Sequence, residues 1–335
     1  MGDKWIWTGV VTSGQRGNFF AIDRHQWAGV CELGMNAALL YLVMGCGTDR
    51  SNTISCWSAH ALEKNTTVAR SRAKAARNSL LQSEFVVGIR GGKHPKYELP
   101  RSSGFQEKKY EIWLPNELVT GINGEVTVIE RIRQTGDVMR LRLLVELYHQ
   151  QNLVDECGIS RDCVFETYER KKLAESGIFD IWGFSRSSLS CNQDNEAVSP
   201  HIQDDDDLFL ERFETLRDLG LVVMTPYLWD GDKPDAEIMH PLASVFDCDD
   251  LSLETEDAAF RMLPEQYSFE IESHDFIVPV HRHIGNVAVV GIAQTFFRPK
   301  TSLTAAGKAH HIDQISEYID FYKEMAVERE CAISR

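Results

Sequence analysis

Ser55-Cys-Trp-Ser-Ala-His-Ala-Leu-Glu-Lys64, Asn65-Thr-Thr67 and Val68-Ala-Arg-Ser-Arg-Ala-Lys-Ala-Ala-Arg-Asn-Ser-Leu-Leu-Gln-Ser83 run in series, and the fold turns on how they are read. Ser55 is the expected N-cap of a short helix over 56–64, and Thr67 that of a longer helix over 68–83. A hydroxyl at either position accepts from the first unpaired N–H groups. Asn65-Thr-Thr67 makes the polar turn between the two helices. On the longer helix Ala69, Ala73, Ala76 and Leu80 recur at +4, +3 and +4 and share one face. That face is small at its start, which suits a close helix crossing. Arg70, Ser71, Lys74, Arg77 and Asn78 fall on other faces, and Arg72 also lies outside the seam. Next come Phe85-Val-Val-Gly-Ile-Arg90, the turn Gly91-Gly-Lys-His-Pro95 and Lys96-Tyr-Glu-Leu99, two β-prone runs that predict a hairpin with a basic tip.

Charge sharpens this reading. The chain of 335 residues carries a formal net charge of −15. Between Arg50 and Arg101, however, ten Lys or Arg side chains face only Glu63, Glu84 and Glu98, a local balance of +7 that leaves −22 for the rest. Attraction to phosphate acts over a Debye length of about 8 Å, so a basic island in an acidic chain says more than the total.

Outward from this stretch, Phe19-Phe-Ala-Ile22 and Trp5-Ile-Trp7 read as short strands, and 24–32 and 35–44 as helices broken at Gly34. Downstream, 138–149 and 159–173 carry apolar residues at helical spacing, Gly177–Gly183 reads as a strand, and the Ser/Asn-rich 185–197 as a loop. Asp204–Asp207 precedes a helix over 208–219, where aspartates favour the helix N-terminus. Gly220, a strand over 221–228, a turn and a strand over 236–240 then repeat the order helix, strand, strand. Strands near 276–280 and 287–297 and a long helix over 304–327 complete the chain.

Residues 36–99, through Trp57–Lys64, Val68–Arg77, Leu80-Leu81 and the hairpin, resemble the winged helix-turn-helix superfamily of bacterial regulators. The resemblance implies an α+β protein. It would comprise a winged helix-turn-helix domain with N-terminal strands over 1–110, a second winged-helix-like domain over 130–245, and an α+β region over 250–335. It implies double-stranded DNA as partner, with the second helix in the major groove and the hairpin along the backbone. The expected contacts are Thr67, Arg70, Ser71, Arg72, Lys74, Arg77 and Asn78 on the helix, and Arg90, Lys93, His94 and Lys96 on the hairpin. Of these, Arg70, Ser71 and Lys74 are expected at base edges, and Arg72, Arg77, Arg90, Lys93 and Lys96 at phosphates. The expected function is transcriptional regulation in a bacterium, phage or mobile element. The alternatives are a replication initiator of plasmid or phage type, or a DNA-binding subunit of a larger nucleoprotein complex. The second unit is acidic, so it is expected to bind protein, either a second copy or a partner, and not phosphate.

No catalytic, cofactor or metal site is expected. The eight cysteines include no Cys-x-x-Cys pair and read as reduced thiols, mostly buried. His281-Arg-His283 and His310-His311 lack companion carboxylates, and Asp204–Asp207 reads as a solvated cap. Gly88-Ile-Arg-Gly-Gly92 lacks the Gly-Lys-Ser/Thr ending of a phosphate loop. No apolar run approaches the ~20 residues of a membrane span, and no signal peptide is read at the N-terminus. The expected location is the cytoplasm.

Overall fold

A computed structural model describes residues 18–92, 95–102, 110–122, 124–152, 158–203, 206–233, 236–243, 250–263, 273–298 and 312–324. The protein is α+β. Contacts divide it into two compact units that are interleaved along the chain. The first takes residues 1–151, 196–222 and 295–305, and the second takes 152–195, 223–294 and 306–335. Among the described residues, no helix is long and apolar enough to cross a membrane.

The first unit is built around helix α2 (Met35–Cys46), in which every residue from Ala37 to Cys46 is buried. A helix that is apolar all round belongs in the centre of a domain, and its neighbours surround it. They are strand β1 (Phe19–Asp23), helix α1 (Arg24–Glu32), strand β2 (Ile54–Ser55), and helices α3 (Ala59–Asn65) and α4 (Arg70–Gln82). Strands β3 (Val87–Arg90) and β4 (Lys96–Glu98) form the hairpin, and β4 lies centrally in a sheet ordered β2-β4-β3. Strand β5 (Glu111–Pro115) pairs antiparallel with β1. Helices α5 (Glu117–Thr120), α6 (Val128–Gln134), α7 (Val138–His149) and α8 (Leu208–Asp218) complete the unit. Asp23 ties its start together. One carboxylate oxygen caps α1 by accepting from His25 N–H at 2.9 Å, and the other accepts from Ser102 N–H at 2.7 Å.

The second unit is organised by one six-stranded sheet. Its strands are β6 (Val164–Ser176), β7 (Phe179–Cys191), β8 (Val222–Trp229), β9 (Ile238–Pro241), β10 (Phe276–His281) and β11 (Ala288–Thr295), ordered β9-β8-β11-β6-β7-β10. Helix α9 (Asp250–Met262) and helix α10 (312–324) supply Leu251, Ala258, Ala259, Met262, Ile315 and Tyr322 to a core shared with Ile181, Phe184, Val278 and Val280 of the sheet. Inside that core His240 holds Tyr322. Its Nδ1–H donates to Pro241 O at 2.9 Å, so Nε2 accepts from the Tyr322 hydroxyl at 3.0 Å.

Several expectations need correction here. Residues 159–173, read as a helix, lie mostly in β6, and 185–191 of the expected loop belong to β7. Asp206-Asp207 pairs with Ile202-Gln203 as a short antiparallel bridge ahead of α8, and is not a free cap. The order helix, strand, strand does occur at α8, β8 and β9. There, however, α8 falls in the first unit, while β8 and β9 are two of the six strands of the second. Trp5–Trp7, His310 and His311 lie outside the described residues.

Candidate nucleic-acid interface

Helix α4 and the β3–β4 hairpin carry most of the sequence-predicted contacts, and most of those described are exposed. The seam of α4 is Ala73, Ala76 and Leu80, all buried, while Ala69 is exposed and serves as N-cap without a side-chain bond. The helix packs against α2 and α3, and small side chains on its buried face permit close approach. Arg70, Ser71, Arg72, Lys74 and Asn78 are exposed, and Arg77 is half-buried. On the hairpin Arg90 and Lys96 are exposed and pair in register. Lys93 and His94 lie outside the described residues.

The basic island of the sequence is not wholly a surface feature. Arg101 is half-buried and donates to Asn52 O at 2.6 Å, and desolvation lowers its pKa. It braces the fold and does not contribute to the exposed face. The edge strand β3 also shows apolar residues to solvent, Val87 at 43% and Ile89 at 52% exposure, which charge counting does not detect.

The expected caps moved. Ser55 is buried in β2 and donates to Met44 O at 2.7 Å, and α3 begins after Ser58. In the turn, Thr66 donates to Leu62 O at 2.7 Å and accepts from Val68 N–H at 3.2 Å. Thr67 turns outward instead, to α6. Its hydroxyl donates to Glu130 Oε1 at 2.6 Å, and its N–H donates to Glu130 Oε2 at 3.2 Å. Arg133 completes the cluster, donating to Glu130 Oε2 and Oε1 at 2.7 Å each and to the Thr67 hydroxyl at 2.7 Å. Thr127, the N-cap of α6, donates to Asn65 O at 2.9 Å. Burial of Glu130 would raise its pKa, but the bonds from Arg133 and Thr67 outweigh that and hold it down to about 2. The turn that aims α4 is thus fixed from outside by a buried carboxylate, and Thr67 holds α4 in place through that bond.

In the second unit Lys172 and Arg282 each reach both Glu175 and Asp180. His281 and His283 place their Nδ1 atoms 2.6 Å apart, and Arg282 reaches Asp180 at 3.1 Å and Glu175 at 2.7 Å. Among the described residues, no three metal-ligating side chains gather. Cys31, Cys46 and Cys163 are buried, Cys191 is half-buried and Cys56 is exposed. No protein-family model, curated protein or solved structure matches the chain.

Proposed function

We propose that this protein is a winged helix-turn-helix regulator that binds double-stranded DNA sequence-specifically and acts without catalysis, in the cytoplasm where its DNA lies. The observation that carries the reading is α4. Its alanine seam is buried while Arg70, Ser71, Arg72, Lys74 and Asn78 stand exposed, and Arg90 and Lys96 are exposed on the hairpin that follows it. The element order α2, β2, α3, α4, β3, β4 and the sheet order β2-β4-β3 support the same reading, because they set a braced helix next to a hairpin. The acidic remainder of the chain favours protein contact over phosphate contact, and we assign it to pairing with a second copy.

The test is duplex affinity over a salt series. Wild type should bind random duplex weakly, with affinity falling steeply as salt rises. On random duplex no base edge is read and all three cations meet phosphate, so a triple Arg70→Ala/Arg72→Ala/Lys74→Ala variant should lose most of that affinity and lower the salt slope by about three units, close to one per phosphate contact removed. An unchanged slope in the triple variant overturns the assignment. Protection of a short two-fold site near its own promoter would support the regulatory role.

A further inference from the structure

Helix α4 carries its arginines on its flanks and mostly short side chains along its outward line. At about 100° per residue, the buried Ala73, Ala76 and Leu80 fix the inward direction. Ser71, Ala75, Asn78 and Gln82, all exposed, lie opposite at i, i+4, i+7 and i+11. Arg70 and Arg77 stand roughly a quarter-turn to one side, Arg72 roughly a quarter-turn to the other, and Lys74 between the line and the Arg70 flank.

This layout has a steric consequence. A helix with its side chains is about 10–12 Å across and nearly fills a major groove about 12 Å wide. Long cations on the outward line would hold the helix off the base edges. On the flanks Arg70, Arg72 and Arg77 meet the phosphate walls instead, so Arg70 does not take the base-edge place expected from the sequence, and the short side chains of Ser71, Ala75 and Asn78 let the helix seat deeply. Asn78 is also engaged from its flank. Arg77 donates to its Oδ1 at 3.0 Å, which leaves both Nδ2 hydrogens and the second lone pair of Oδ1 for a base. That pattern of donor and acceptor matches adenine, which offers N7 and the N6 amino group in the major groove. Ala75 lies about 4.5 Å before Asn78 along the axis, close to one base-pair step of about 3.4 Å. Its methyl suits the C5-methyl of thymine.

We propose that Asn78, engaged from its flank by Arg77, reads an adenine and that Ala75 packs on a neighbouring thymine methyl, so that A·T pairs form the centre of the preferred site. The inference rests on the duplex-binding reading above. In a selection from random duplexes by the full chain, the recovered site should hold adjacent A·T pairs. Asn78→Ala should weaken that site about tenfold or more, remove the preference at one position and leave the salt slope unchanged. Replacing that adenine by 7-deazaadenine should weaken wild type and do nothing further to Asn78→Ala. Replacing the thymine by uracil should weaken wild type about fourfold, the effect of one buried methyl, and leave Ala75→Gly indifferent. Wild type that selects a site whose base preferences survive Asn78→Ala overturns this inference alone. Wild type that binds no duplex at low salt overturns the duplex-binding reading itself.

Discussion

Glu130 is 3% exposed, yet its carboxylate stays ionised because Thr67 and Arg133 surround it with donors. Removing one partner of a buried, hydrogen-bonded pair strands the other. Glu130→Ala should therefore destabilise the protein by about 3 kcal/mol, and Glu130→Gln by less, since an amide keeps an acceptor for Thr67. The sign of the pH effect follows from the depressed value. Above about 4.5 the carboxylate is charged in both states and its contribution is full; as pH falls toward about 2 the unfolded state takes up the proton first and the contribution is lost. Urea denaturation of wild type and Glu130→Gln between pH 5 and pH 2.5 should show the two curves converging. In the second unit, Tyr322→Phe removes the donor to His240 Nε2 and leaves that nitrogen buried without a partner. A loss of about 1–2 kcal/mol in chemical denaturation is expected.

Close approach governs the elements. Gly47 ends α2, and a Cβ there would lie 2.3 Å from Trp57 Cγ and 2.5 Å from Trp57 Cβ, just ahead of α3. Gly47→Ala should therefore push Trp57 and α3 outward and lower stability by about 1–3 kcal/mol, read as a fall in melting temperature. Helices α2, α4 and α7 were legible in the sequence because each has a continuous apolar or small-residue face at helical spacing. The exposure of Arg70, Ser71, Lys74 and Asn78 on α4 was legible for the same reason. Strand β6 was not. Its ladder with β7 shifts register between Thr167 and Tyr168 and again between Lys172 and Ala174, so the alternation of period two is broken and helix-like spacing takes its place. The Ser-rich end of β7 looked like a loop because its strand character comes from pairing with Val164–Thr167, which local composition does not encode. The Glu130 clamp escaped too: it joins residues 63 apart, and local spacing carries no signal for such a contact.

Among the described residues of the whole molecule, two buried histidines, His201 and His240, set the acid limit. His201 accepts from Arg212 at 3.0 Å; burial first, then the Arg212 and Arg142 charges, push its pKa down to about 4. Burial likewise lowers His240 to about 4 against the opposing bond to Pro241 O. Both rings are neutral when folded, whereas in the unfolded chain each takes a proton below about 6.5. Stability is therefore full above that pH and falls between about 6.5 and 4, with a slope of up to about 1.4 kcal/mol per pH unit for each ring. Denaturation midpoints should drop from pH 7 to pH 5, and a His201→Gln/His240→Gln variant should show a flatter drop whatever its absolute stability. The two rings lie in different units, so the single variants should flatten different transitions if the units melt apart.

The interleaving of the two units also sets a timetable for synthesis. Residues 1–151, which hold α1 through α7, leave the ribosome well before 295–305 of the same unit are made. At about 5–20 residues per second the interval from 151 to 295 lasts roughly 7–29 s. Throughout it the Tyr148 hydroxyl waits for the Phe297 carbonyl, which it meets at 2.6 Å in the finished fold. The nascent helices must keep their apolar faces from other chains for that time. Translation speed and chaperone supply, quantities outside the folded structure, therefore set how much of this protein reaches it.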